Sequence, residues 1–340
     1  MPFNVYVTRR IPEAGLDVLR AGVGRMDVNP DDRVLGREAL LRAVKGRDGV
    51  LCLLTDRIDA GVFEAAKGAK IFSNYAVGFD NVDLAAASKR GILVTNTPGI
   101  LTETTADMAW ALIFATARRI AEGDRFVRAG KFSGWGPMML LGGDVHGKTL
   151  GIVGFGRIGA AVARRAAGFG MRVLYAEAGD GRAEGDSAAG AKRADLDALL
   201  RESDFVSLHV PLIPGPPPKG TRHLISARSL ALMKPTACLV NTSRGPVVDE
   251  AALADALKAG RIFAAGLDVY EQEPEVHPAL LACENAVLLP HLGSATVETR
   301  ARMAVVAAEN LLAGLQGKRP PNLLNPEAWI RQSKVLSPKS

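Results

Sequence analysis

Short runs of β-branched and other apolar residues alternate with segments of helical period over nearly the whole chain. That alternation predicts α/β architecture, parallel sheets joined by helical crossovers. Strands are predicted at residues 4–7, 50–54, 70–73 and 92–94, and a second series at 149–153, 172–175, 205–210, 237–241, 263–268 and 286–289. Between the two series lie an apolar helix-like stretch at 101–120 and a Gly- and Trp-containing segment at 130–147, where a domain connection is expected. A long helix is predicted at 295–315, stopped by Gly317-Lys318-Arg319-Pro320-Pro321. From about Glu327 the chain turns polar and is expected to be a loose tail, and Pro214-Gly215-Pro216-Pro217-Pro218 reads as a rigid surface loop.

Composition narrows the class. The chain has 340 residues, 48% of them hydrophobic, more than one core usually holds, so two domains are expected. Cys52, Cys238 and Cys283 stand far apart in apolar runs, without metal-ligand spacing, and read as reduced core residues of a cytoplasmic protein. No stretch has the roughly 18 uninterrupted apolar residues of a membrane span, and the first residues, Met1-Pro2-Phe3-Asn4-Val5, do not read as a signal peptide. A net charge of +6 is spread among acids rather than gathered in blocks, which argues against a nucleic-acid partner. A mildly positive field does suit anionic small molecules.

One motif carries chemistry by its context. The strand pattern at 149–153 runs into Gly154-Phe155-Gly156-Arg157-Ile158-Gly159 and an Ala-rich helix. Gly154 serves the tight turn, Gly156 the close approach of a pyrophosphate, and Gly159 helix-on-strand packing. The helix N-terminus then offers free N–H groups to the phosphates. At the end of the next strand Glu177 is spaced to accept from the ribose hydroxyls of NAD and to repel the 2′-phosphate of NADP. Arg157 and Arg182 lie near enough in sequence to help bind a phosphate, so NAD is favoured and NADP kept as an alternative.

A nicotinamide cofactor transfers hydride, leaving the protein to hold the acceptor, polarise its carbonyl and supply a proton. A 2-oxo acid needs a cation and a general acid of near-neutral pKa, for which five histidines are available: His146, His209, His223, His277 and His291. His291 follows the strand at 286–289, at the edge where open α/β sheets bind ligands. Arg244 follows the strand at 237–241 in the same way, and the loop Asp268-Val269-Tyr270-Glu271-Gln272-Glu273-Pro274 follows the strand at 263–268. A carboxylate beside an imidazole favours its protonated form and fixes its orientation. From these residues alone Glu271 and Glu273 are equal candidates for that carboxylate.

These segments resemble the D-isomer-specific 2-hydroxyacid dehydrogenase family, closest to its glyoxylate and hydroxypyruvate reductases. The resemblance rests on residues 74–83, Gly154 to Gly159, Asn241-Thr242-Ser243-Arg244-Gly245-Pro246-Val247-Val248-Asp249-Glu250, Ala265-Gly266-Leu267-Asp268-Val269 with Glu273-Pro274, and Pro290-His291-Leu292-Gly293-Ser294-Ala295-Thr296, in family order over residues 3 to 325. It implies two Rossmann-like doubly wound domains. Residues 1–99 with 292–325 would form the substrate domain, 100–291 an inserted cofactor domain, and 326–340 a tail. It further implies Arg244 as anchor of the substrate carboxylate and carbonyl, His291 as acid/base and Glu273 as its partner. Backbone N–H groups around Val77 and Gly78 would hold the carboxylate. Thr105, Phe155, Gly156, Arg157, Ile158, Thr242, Ser243, Arg244, Asp268, His291, Leu292 and Gly293 would line the cofactor. A homodimer is implied, residues 122–147 with Trp135 reaching to the partner.

Two departures from the family pattern stand out. The loop at 214–220 is longer than usual, and the segment Ala178-Gly179-Asp180-Gly181-Arg182 lacks the adjacent arginine of NADP-preferring reductases. Rival activities are phosphoglycerate, phosphite and formate oxidation. Phosphite oxidation expects a lysine in place of Val77, and formate oxidation a glutamine in place of Glu273. A rival from another class is an NAD-sensing transcriptional corepressor of the same fold.

Overall fold

The computed structural model describes residues 3–177 and 190–336, with side chains to residue 331. The chain divides into two compact units, residues 1–101 with 295–340, and residues 102–294.

The first unit is a five-stranded, wholly parallel sheet of order β2-β1-β3-β4-β5. Its strands are β1 (Asn4–Val7), β2 (Arg25–Val28), β3 (Gly49–Leu53), β4 (Ile71–Tyr75) and β5 (Leu93–Thr95), separated by α1 (Glu13–Gly22), α2 (Arg37–Val44), α3 (Ala60–Ala65) and α4 (Leu84–Arg90). The second unit opens with α5 (Thr102–Ala117) and α6 (Ile120–Arg128) and is a seven-stranded parallel sheet of order β12-β11-β10-β9-β6-β7-β8. Its strands are β6 (Thr149–Val153), β7 (Arg172–Ala176), β8 (Lys192–Arg193), β9 (Phe205–Leu208), β10 (Cys238–Asn241), β11 (Ala264–Leu267) and β12 (Ala286–Leu288). Their connections carry α7 (Arg157–Ala166), α8 (Leu196–Glu202), α9 (Ala227–Leu232), α10 (Glu250–Lys258) and α11 (Pro278–Leu281). The chain then returns to the first unit as α12 (Val297–Leu315) and α13 (Pro326–Leu336).

The central strands are buried at nearly every position, with helices covering the sheet faces, as a parallel sheet requires. Two apolar clusters flank the seven-stranded sheet, one around Leu208, Leu239 and Leu267, the other around Ile152, Val173 and Val240. Two more flank the five-stranded sheet, around Leu51 and Leu311 and around Phe63 and Phe72, whose rings meet edge-on at 5.1 Å. All three cysteines are buried and free. Among the described residues no helix is long and apolar enough to cross a membrane.

The structure refines the expected element plan at four points. The helix expected at 101–120 is α5, which ends at Ala117; Arg119 then takes a left-handed φ of 53° before α6, its guanidinium paired with Glu122 at 2.8 Å. The expected tail begins with α13, seated by buried Asn325, whose amide receives Val94 N–H and donates to Ile92 O, both at 2.9 Å. The second unit runs to Ser294, and within it Asp268 binds the N–H groups of Leu292 and Gly293. Two edge strands, β2 and β8, are additional.

Candidate active site

Gly154 ends β6 with φ 93°, and a Cβ there would lie 2.7 Å from the backbone carbonyl of His209. Only glycine fits that turn. A Cβ on Gly159 would come within 2.2 Å of Gly154 O, whereas one on Gly156 would meet nothing within 4 Å. Space is thus left open over the second glycine, at the point where α7 begins. Gly156 is the N-cap of α7, and no side chain satisfies the cap, so first-turn N–H groups and the positive dipole end are available to an anion. Phe155 is buried and stacks on Tyr175 with ring centroids 4.2 Å apart, which fixes the loop against β7; Arg157 is exposed and Ile158 half-buried.

Glu177 follows β7 and lines a recess of about 530 Å³ together with Arg193, Asp195 and Leu196. Arg193 was not singled out by the sequence; the two-residue pairing of β8 with β7 brings it there. Arg182 and the segment 178–182 lie outside the described residues.

Three further strand ends of the same sheet carry the polar residues. After β10, Asn241 folds its own turn: its Oδ1 accepts from Ser243 N–H and Oγ at 3.0 and 2.8 Å, and its amide donates to Arg244 O at 2.9 Å. The Arg244 guanidinium donates to Ser243 O at 2.9 Å. Gly245 packs directly on the next loop, since a Cβ there would lie 1.8 Å from the Tyr270 carbonyl. The Thr242 hydroxyl is buried and has no hydrogen-bond partner among the described residues.

After β11, Asp268 is 1% exposed and accepts from Leu292 N–H at 2.6 Å and Gly293 N–H at 2.7 Å. Burial pushes its carboxyl up, against those two donors and the nearby His291. The turn it clamps puts His291 at a left-handed φ of 59°. Thr105, on α5, reaches the same turn through its hydroxyl, 3.2 Å from Gly293 O.

His291 Nδ1 lies 2.9 Å from Glu273 Oε2, and Glu273 Oε1 accepts from Tyr270 N–H at 3.1 Å. Burial works to raise the Glu273 carboxyl, but the hydrogen bond and charge of His291, the Tyr270 N–H and the charge of Arg244 outweigh it and hold it below the ordinary value. The guanidinium and the imidazole therefore both act on one carboxylate.

The two acids of the loop are allotted to different histidines. Glu271 Oε2 lies 2.9 Å from His223 Nε2, and its Oε1 accepts from Glu250 N–H at 3.1 Å, while Glu250 accepts in return from Glu271 N–H at 2.7 Å. The residues alone left Glu271 and Glu273 equal and the family resemblance pointed to Glu273, but the second pair was missed, because His223 lies 48 residues away on another loop. Among the other histidines, His277 caps α11, His146 is exposed, and burial takes His209 down to about 3. Val77 and Gly78 belong to the first unit, half-buried just beyond β4.

A parallel sheet with a glycine turn, an uncapped helix start and a carboxylate-held histidine defines a nicotinamide-dependent oxidoreductase of two-unit build. Residues 110–293 match the family model described as D-isomer specific 2-hydroxyacid dehydrogenase, NAD binding domain. The chain is 55% identical to a glyoxylate reductase of Korarchaeum cryptofilum over 327 residues, 95% of this chain and 96% of the relative. Among solved structures it is similar to a glyoxylate reductase from Paecilomyes thermophila, with TM-score 0.84, 33% identity, and coverage of 96% of this chain and 100% of that one. It is also similar to the NADPH-dependent glyoxylate/hydroxypyruvate reductase of Sinorhizobium meliloti, solved with NADP and malonate, with TM-score 0.81, 31% identity, and coverage of 96% and 98%. The chain belongs to the D-isomer-specific 2-hydroxyacid dehydrogenase family, and it is an NAD(P)-dependent enzyme acting between 2-oxo and 2-hydroxy acids.

The Glu273 carboxyl sits below its ordinary value of 4.5 in the folded protein, so it adds stability above that pH and loses it as pH falls through the folded value. Glu273→Gln should therefore be less stable than the parent near neutral pH, the gap closing below about pH 4. Urea midpoints measured across pH check this, and a gap that widens in acid would count against the pairing.

Proposed function

We propose that the enzyme reduces a small 2-oxo acid of the glyoxylate or hydroxypyruvate type to the D-2-hydroxy acid. The observation that carries this reading is the His291–Glu273 pair with Arg244 acting on the same carboxylate. With Nδ1 committed to Glu273, His291 presents Nε2 as its remaining proton-bearing atom. Arg244 anchors the substrate carboxylate and carbonyl, and His291 delivers the proton to the oxygen as it gains charge, a role worth roughly 10²–10⁴-fold in rate. N–H groups at Val77 and Gly78 take the carboxylate. When bound, the reduced nicotinamide supplies the hydride.

The residues fit a dinucleotide: open space over Gly156, the uncapped start of α7, and an unpartnered buried hydroxyl on Thr242. Gly154 to Gly159 would hold the pyrophosphate, and Thr105, Thr242, Ser243, Arg244, Asp268, His291 and Gly293 would border the nicotinamide half. Glu177 favours NAD, accepting from the ribose hydroxyls. Arg193 in the same recess supplies a countercharge through which NADP is used less efficiently.

A homodimer through residues 122–147 is supported by the surface there. No residue of α6 is buried, Ile120 and Val127 are 55% and 58% exposed, and Trp135 and Met138 are 82% and 77% exposed. Large apolar side chains so exposed over one segment suit a surface that a partner covers. The buried, free cysteines suit a cytoplasmic setting.

Steady-state rates for glyoxylate, hydroxypyruvate and pyruvate with NADH and with NADPH test the assignment. His291→Gln should lower kcat about a hundredfold or more with NADH affinity nearly intact. Tight NADH binding without saturable turnover in the parent enzyme would instead favour a sensor. Glu177→Ser should narrow the preference for NADH, read as the ratio of the two kcat/KM values; an unchanged ratio rejects its role. Trp135→Glu with Met138→Glu should shift the mass measured by light scattering from dimer toward monomer, and a parent that is monomeric at micromolar concentration overturns the dimer.

A further inference from the structure

Three consecutive carbonyls after β4 are each taken up by a donor of the first unit. Ala76 O accepts from Thr97 N–H at 2.8 Å, Val77 O from the Asn96 amide at 2.8 Å, and Gly78 O from the Asn74 amide at 3.0 Å. Both asparagines are buried, at 6% and 0% exposure, so these amides are structural commitments rather than solvated contacts. Asn74 is held in turn by Asn81, whose amide donates to Leu53 O and Asp56 O at 3.0 and 3.1 Å, tying the loop to the end of β3.

The peptides here are trans, and in a planar trans peptide the N–H points opposite to the preceding C=O. Ala76 O and Val77 O are both drawn to the adjacent residues 96 and 97. The N–H groups of Val77 and Gly78 are consequently turned to the other side, and neither donates to an acceptor among the described residues. A half-buried N–H without a partner is costly unless an external acceptor meets it.

We propose that Asn96 is a positioning residue for substrate: by holding Val77 O it aims the Gly78 N–H, which joins the Val77 N–H, set by the Thr97 N–H on Ala76 O, at the substrate carboxylate. This rests on the carboxylate reading above and deepens it. Two successive donors suit the two oxygens of a carboxylate, and a loop already held by its carbonyls has less order to gain on binding. Val77 and Gly78 contribute backbone only, so the specificity of the loop resides in the side chains that hold its carbonyls.

The test uses oxamate, a non-reducible 2-oxo acid analogue, with the NADH-loaded full-length enzyme. In Asn96→Ala we expect oxamate affinity to fall and KM for glyoxylate to rise by about ten- to a hundredfold, with kcat changed far less. NADH affinity should be unchanged, because Asn96 and the Gly154–Gly159 turn belong to different units. A general loss of structure would lower kcat and NADH binding as well. A second measurement on the parent enzyme needs no variant: oxamate should shift the ¹⁵N–¹H resonances of Val77 and Gly78. Equal oxamate affinity in parent and Asn96→Ala overturns the role of the asparagine alone. Unmoved Val77 and Gly78 resonances in an oxamate-saturated enzyme overturn the N–H pair, and failure of the parent to bind oxamate overturns the carboxylate reading as well.

Discussion

A buried carboxylate clamping a strained turn is the constraint on which the strand-end loops of the second unit depend. Asp268, at the end of β11, holds the N–H groups of Leu292 and Gly293 at the end of β12. His291 sits immediately before them at φ 59°, a conformation that costs a non-glycine residue of order 1 kcal/mol or more. Asp268 supplies two of the hydrogen bonds that hold this turn, the Thr105 hydroxyl on Gly293 O a third, and the turn so fixed presents the imidazole to Glu273. Asp268 is itself fixed by β10, its N–H donating to Asn241 O at 2.9 Å, so the Arg244 and His291 loops are tied through one residue.

The carboxylates of the same loop show how environment divides labour between like side chains. Glu273 meets His291, Tyr270 N–H and the field of Arg244, a set that keeps it ionised against its burial. Glu271, two residues earlier, meets His223 and the start of α10, where it and Glu250 each accept the other's backbone N–H on a side-chain oxygen. One acid pairs with His291 and the other braces the loop that carries both. In the first unit buried asparagines shape the loop after β4 by holding its carbonyls.

Much of the fold was legible because a parallel sheet buried on both faces leaves a direct trace, short apolar runs separated by helical period. The two α/β units and their central strands follow that trace. The edges do not: β2, Arg25-Met26-Asp27-Val28, is half-exposed and mixed in character, and β8 is only two residues long. The break at Arg119 has no glycine or proline to mark it, and α13 depends on Asn325 meeting β5 and Ser88 from more than 230 residues away.

For the site, the chain by itself determined the glycine turn with its following helix and the delivery of Arg244, the Glu271–Glu273 loop and His291 to strand ends, since these are local patterns repeated at each crossover. Only the tertiary structure decided that Glu271 meets His223, that Asp268 fastens the His291 turn, that Arg193 joins Glu177, and that Asn74 and Asn96 hold the carbonyls around Val77 and Gly78. Each of those is a hydrogen bond or a shared recess between segments distant in sequence or on different loops. Side-chain pairing of that kind is set by how strands are ordered and registered in the sheet, and periodicity along the chain carries no information about it.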